Sequence, residues 1–226
     1  MQEIRRLLEG KTTVLIDLDG TLVDSVTAHA VSWKKVLAKH GYDVELFSLE
    51  RLIGMGGDKM LSAVVGEISD AEEKRITEER SERFRDNEIQ DVRPLERARE
   101  LIEALRENGL EVMLATAASA EDRDALLKRG GLQNVFQDFV SSDDVDGSKP
   151  EPDLIETILD KLGADPAECL MVGDSPFDAE AAARARVDFV GVESGAYSRD
   201  ELAYAKAVFP SVNEFAQMLT RRMAWT

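Results

Sequence analysis

The chain has one cysteine, Cys169, which excludes an internal disulfide and fits a reducing, cytoplasmic setting. Long apolar runs are missing as well. The opening residues MQEIRRLLEGKTTVLIDLDG hold neither an uninterrupted apolar stretch nor a small-residue cleavage site, so no signal peptide or membrane span is expected. Positive charge is scarce: 28 Lys and Arg stand against 45 Asp and Glu, a net −17 that repels nucleic acid and anionic membrane surfaces. Neither is expected as a partner. Internal repeats, low-complexity tracts and Pro-rich linkers are absent too. What remains is an ordinary globular composition, 43% apolar over 226 residues, enough for one sizeable core or a core with a small inserted domain. A small anionic ligand stays open, because a bound divalent cation inverts the local field whatever the global charge.

Short apolar runs recur at 13–17 (TVLID), 111–116 (EVMLAT), 138–142 (DFVSS), 169–174 (CLMVGD) and 188–192 (DFVGV), and each reads as a buried strand. Helical patterns lie between several of them. In PLERARELIEALRENG, Leu95, Ala98, Leu101, Ile102 and Leu105 recur at helical spacing and Gly109 supplies the stop. The alternation predicts a parallel sheet covered by helices on both faces. Such sheets bind ligands beyond the carboxyl ends of their strands, which singles out Asp17, Thr116, Ser141 or Ser142, and Asp174. Residues 24–91 break the rhythm. TAHAVSWKKVLAKHG, DKMLSAVVGEIS and SDAEEKRITEERSERFRDNEIQ read as helices, with the glycine-rich IGMGGD between two of them, so a helical insertion after the first strand is expected. The charged run at 70–88 is expected to be a solvated helix face.

Asp17 and Asp19 crowd one strand end in VLIDLDGTLVDS, at a cost that only a cation or a shared proton relieves. On their own these residues would serve equally as a turn or a helix cap. A second strand end, however, carries Asp174 and, one helical turn later, Asp178. Four acids beside one sheet edge make a hard-cation site with oxygen ligands, best suited to magnesium.

With these residues in view, the chain resembles the haloacid dehalogenase superfamily, in the group whose helical C1-type cap follows the first motif, as in phosphoglycolate and sugar-phosphate phosphatases. DLDGTLVDS stands as the first motif, ATAAS as the second, SKPEPD as the third and GDSPFDAEAA as the fourth, in family order. The resemblance implies an α/β, Rossmann-like core over 1–23 and 92–226, with an all-helical cap over 24–91. It also implies Mg2+-dependent hydrolysis of a small phosphomonoester through an aspartyl phosphate, by a monomer or weak homodimer. In that pattern Asp17 is the nucleophile and Asp19 the acid that protonates the leaving oxygen, then the base that activates water. Magnesium is held by the Asp17 and Asp174 side chains and the Asp19 backbone carbonyl, with Asp178 acting through water or through another ligand. Thr116 and the backbone at Ala117 grip the phosphate, and Lys149 offsets the crowded carboxylates and holds the phosphate. A phosphomutase resembling β-phosphoglucomutase is the alternative. Gly57 at the position of that family's phosphate-binding arginine, and VGDS in place of its Glu-Asp pair, count against it.

In the inserted segment, His29 shares a helical stripe with Val26, Trp33, Val36 and Leu37, which suits a packed face; related sugar-phosphate enzymes often place a histidine there, near the hinge, which makes substrate contact the other reading. Asp24 and Ser25 read as an N-cap and linker. LIGMGGDKM resembles the cap loop that lowers onto the active site, so Gly56 would approach the ligand closely while Lys59 and Arg51 contact its distal group.

Overall fold

The computed structural model describes residues 2–223 except 137, 138, 141–144, 146 and 203; the candidates Ser141 and Ser142 therefore lie outside the described residues. The chain runs α1 (Gln2–Leu7), β1 (Thr13–Ile16), β2 (Val23–Asp24), α2 (Val26–Lys39), α3 (Leu46–Glu50), α4 (Gly57–Val65) and α5 (Asp70–Asp86). There follow β3 (Arg93–Pro94), α6 (Ala98–Glu107), β4 (Glu111–Ala115), α7 (Ala120–Arg129), β5 (Phe139–Val140) and α8 (Asp153–Leu162). The chain continues through β6 (Cys169–Gly173), α9 (Pro176–Arg184), β7 (Asp188–Val192), β8 (Ala207–Phe209) and α10 (Val212–Met223).

Six strands form one parallel sheet in the order β5-β4-β1-β6-β7-β8. Its strands are continuous apolar runs because both faces are buried. Alternate residues serve the two faces: Val14, Ile16, Leu170 and Val172 pack with α6 and α10, while Leu15, Cys169 and Met171 pack with α8 and α9. This is the expected α/β architecture. β1 lies between β4 and β6, in the middle of the sheet, with connections leading away on either side. Its carboxyl end therefore opens into the crevice where such sheets bind ligands.

The two-residue strands β2 and β3 pair antiparallel, so the chain leaves toward α2–α5 and returns from them side by side. These helices share their own apolar cluster, in which Val26, Ala30, Trp33, Leu37, Leu49, Met60 and Ile76 are buried. The edge strand β8 escapes the apolar-run reading because only Phe209 of its three residues is buried.

Candidate active site

The strands stop one residue short of the acids. β1 ends at Ile16, although the Asp17 amide still donates to Val172 O of β6 (2.9 Å), and β6 ends at Gly173, immediately before Asp174. Asp17, Asp174 and Asp178 are all buried, each presenting a carboxylate oxygen within 4.8 Å of the others. Lys149 reaches into this cluster, donating to Asp17 Oδ1 (2.6 Å), Asp178 Oδ1 (2.7 Å) and the Ala115 carbonyl (3.0 Å). Burial would lower its pKa, but Asp17 and Asp178 outweigh that and hold the ammonium charged.

Asp178 is fixed by the start of α9. Ser175 caps that helix by accepting from the Asp178 amide (3.3 Å), and Asp178 Oδ2 accepts in return from the Ser175 amide (3.2 Å) and hydroxyl (2.6 Å). With Lys149 on Oδ1, both carboxylate oxygens of Asp178 are engaged, which suits a supporting place behind the other acids. Ser175 had no role in the sequence reading, although Ser-Pro-Phe-Asp spells the reciprocal cap. Asp174 accepts from Thr21 Oγ1 (3.1 Å).

One lysine does not balance three carboxylates. Burial first, then Asp178 and Asp19, push Asp17 up to about 7 against the opposing pull of Lys149. Burial, Asp178 and Asp17 likewise raise Asp174 well above the usual carboxylate range. Asp17 Oδ2 is buried without a hydrogen-bond partner. A divalent cation fits this cluster on both counts: it would neutralise the two excess negative charges and take up the orphaned oxygen, and an all-oxygen donor set suits magnesium.

Asp19 points away from that cluster. Its Oδ1 accepts from Ser25 Oγ (2.5 Å) and from His29 Nε2 (2.8 Å), and the His29 ring stacks on Phe84 at 3.9 Å between centroids. Burial alone would raise the Asp19 carboxyl; His29, Ser25 and the more distant Arg80 outweigh it and hold Asp19 below its ordinary value. Ser25 therefore does not cap α2 through its side chain, as the sequence suggested, but serves the acid. His29 lines the cleft, with its Nε2 already committed to Asp19.

The cleft holds about 270 Å³ and is walled by Asp17, Asp19, the turn at 53–57, and Ala117, Ala118 and Ser119 at the start of α7. Thr116 sits behind this wall, fully buried, its Oγ1 accepting from the Ala118 amide (3.1 Å). Its hydroxyl thus shapes the Ala117–Ala118 turn, while the backbone of that turn and the amino end of α7 face the cleft, as anion sites do. Gly56 lines the cleft, and its amide donates to Lys149 O (3.4 Å), tying the turn to the sheet side of the site.

Three expectations are corrected. Lys59 does not line the cleft; its Nζ donates to Ser148 O (2.9 Å) and Glu151 Oε1 (3.2 Å), because α4 faces that loop. Arg51 is also outside it, paired with Glu201 (2.6 Å) and lying over the Tyr197 ring at 4.3 Å. The charged run at 70–88 is not wholly solvated. Ile76 and Phe84 of α5 are buried, and between them Arg80 turns inward onto the cleft wall. Its NH1 donates to the buried Asp122 of α7 (2.8 Å), and Arg85 donates to the other oxygen of Asp122 (2.7 Å). The spacing of residues 76, 80 and 84 is the signal that could have found it.

With this sheet, crevice and acid cluster established, the comparison with known proteins is direct. Residues 14–192 match the haloacid dehalogenase-like hydrolase family, and the chain belongs to that family. It is 32% identical over 219 residues to a phosphoglycolate phosphatase of Rhodospirillum rubrum, covering 91% of this chain and 88% of that protein. It is 26% identical over 182 residues to the fructose-1-phosphate phosphatase YqaB of Escherichia coli, covering 79% and 95%. A hydrolase from Pseudomonas syringae superposes with a TM-score of 0.86 at 32% identity, over 93% of this chain and 99% of that one. Among the described residues no helix is long and apolar enough to cross a membrane.

Proposed function

We propose that this protein is a Mg2+-dependent phosphatase of small phosphomonoesters, with residues 24–91 acting as a helical cap over a catalytic core of 1–23 and 92–226. The observation that carries the reading is Asp17. One of its oxygens is held by Lys149 while the other is buried and unpartnered, beside two more carboxylates and in the lining of the cleft. Relatives named for hydrolysing phosphoglycolate and fructose 1-phosphate support the substrate class, and a cleft of about 270 Å³ suits a small molecule.

In this reading an Asp17 oxygen attacks phosphorus, the ester P–O bond breaks, and Asp19 gives its proton to the departing alcohol oxygen. Asp19 then takes a proton from water as the water oxygen attacks phosphorus; the bond to Asp17 breaks and inorganic phosphate leaves. The hydrogen bonds from Ser25 and His29 aim Asp19 away from the metal cluster and favour its base form. A phosphate dianion beside it raises its proton affinity for the first half. Lys149 stays charged and holds Asp17 and Asp178 in place. Bound to Asp17, Asp174 and the Asp19 carbonyl, with Asp178 behind, magnesium would offset charge on the phosphoryl oxygens so that an anion can approach an anion.

The test is phosphate release from a panel of small phosphomonoesters. Activity is expected with magnesium, lost to chelation and restored by the metal, while Asp17→Asn folds but does not turn over. After a denaturing quench, labelled phosphate belongs on the peptide containing Asp17. Label on another residue, or turnover indifferent to exhaustive chelation, overturns the reading.

A further inference from the structure

With Lys59 and Arg51 committed elsewhere, the cleft has one permanently charged cation among its described lining residues, Arg80. Only 13% of its side chain is exposed. The guanidinium lies over Trp33 at 5.0 Å and Phe84 at 5.7 Å from the ring centroids, so two aromatic faces set its plane. Asp122 anchors NH1 and is shared with Arg85, with Ser81 Oγ also 3.4 Å away. Arg85 pairs in addition with the exposed Glu121 (3.0 Å), so the charges of this group balance, but on the cleft wall itself Arg80 shares only the one buried carboxylate of Asp122. Arg80 Nε is buried without a hydrogen-bond partner. Thr77 and Ser81, three residues before and one after Arg80 in α5, line the same wall, with Trp33, Ile53 and Met60 adding apolar surface beside them.

We propose that Arg80 selects the substrate, by receiving an oxyanion carried on the alcohol part of the phosphomonoester. This rests on the phosphatase reading above and deepens it. The phosphoryl group belongs with Asp17 and Lys149 at the sheet, so a group on the α5 wall meets only the remainder of the ester. A guanidinium so withdrawn from water gains most from a charged, planar or tetrahedral oxyanion and little from a neutral hydroxyl. The same chemistry admits a carboxylate or a second phosphate.

The experiment compares twin substrates. Phosphoglycolate is set against 2-hydroxyethyl phosphate, and fructose 1,6-bisphosphate against fructose 1-phosphate, with p-nitrophenyl phosphate as a general reporter. Wild type should prefer the oxyanion-bearing twin in at least one pair, and the pair that responds tells carboxylate from phosphate. In Arg80→Gln the ratio of kcat/KM between those twins should fall about ten- to a hundredfold, the loss of one charged hydrogen bond. Arg80→Lys, which keeps the charge but not the fork, should recover part of the ratio, and it decides the matter if the glutamine variant fails to fold. Wild-type turnover of p-nitrophenyl phosphate without preference in either pair overturns the role of Arg80 alone, as does an unchanged ratio in the variants. Failure to hydrolyse any of the five esters overturns the phosphatase reading and the proposal with it.

Discussion

Gly195→Ala isolates the proposed metal site without touching an acid. Gly195 lies outside the left-handed backbone region, so alanine is conformationally acceptable. The new methyl is not. It would overlap Asp174 Oδ2 and come within 2.6 Å of Asp174 Cγ. The carboxylate has little freedom to yield, since Thr21 holds its other oxygen at 3.1 Å and Gly20 stands on its far side so near that a Cβ there would overlap the same carboxylate. Relief of such an overlap costs about 1–3 kcal/mol, roughly 2–12 °C in a chain of this size. The more telling effect is on the cation, because displacing or disorienting a ligand weakens metal affinity by about ten- to a hundredfold. Activity against magnesium concentration should therefore shift to higher concentration by that factor, with turnover at saturating metal partly regained. Magnesium should also raise the melting temperature less than in wild type. A variant that melts lower but keeps the wild-type magnesium dependence would refute the assignment of Asp174 as a ligand and leave Gly195 a packing residue.

Lys149→Met should cost about 3–5 kcal/mol, because it strands two buried carboxylates whose ammonium partner is gone; chemical denaturation with chelator present measures it, and magnesium should return part of the loss. A wild-type denaturation midpoint would contradict the burial argument. In the metal-free protein Asp17 sits at about 7 against 3.8 for the ordinary carboxyl, so the folded state binds a proton that the unfolded chain does not. Its contribution to stability therefore rises as pH falls from about 7 toward 4. Melts with chelator should show this rise, and it should shrink in Asp17→Asn or with magnesium; identical profiles for the two proteins would count against the shift. Lys59→Ala should lower kcat/KM on aryl and alkyl phosphates alike, since Lys59 ties α4 to the loop beside Lys149 rather than touching the leaving group. A loss confined to one substrate would return it to the specificity role.

How much of this was legible in the sequence depends on what each residue's neighbours are. The five apolar runs appear as β1, β4, β5, β6 and β7; four of them, β1, β4, β6 and β7, have a neighbour on each side, and such a parallel strand covered on both faces has no choice but to be continuously apolar. The acids stood out for the same reason: Asp17 and Asp174 are the first polar residues after such runs, and the fold places them together with Asp178. Contacts between helices and sheet were not legible. Ser25, read as a cap, turns to Asp19 because the hydroxyl finds a carboxylate there instead of an amide. Arg51 and Lys59 look available as isolated cations, but partners 150 and 92 residues away claim them.

Arg80 shows why composition misleads at a functional wall. Averaged over its length, α5 is strongly polar, and only Ile76 and Phe84 of its residues are fully buried. That average hides a stripe one residue wide. A helix that must bury Ile76 and Phe84 while presenting charge to the cleft has one position between them at helical spacing, and residue 80 occupies it. The cost of withdrawing that guanidinium from water is met by Asp122, itself a helix N-terminal acid on the opposing element, and by the faces of Trp33 and Phe84. No window of sequence contains all four residues. Charge in this chain is therefore informative mainly where the fold makes it expensive: the solvated acids that dominate its −17 decide little. Glu88 and Arg123 are buried away from the cleft, whereas Asp17, Asp174, Asp178 and Lys149 at the sheet, and Arg80 with Asp122 at the wall, mark both ends of the space a substrate would fill.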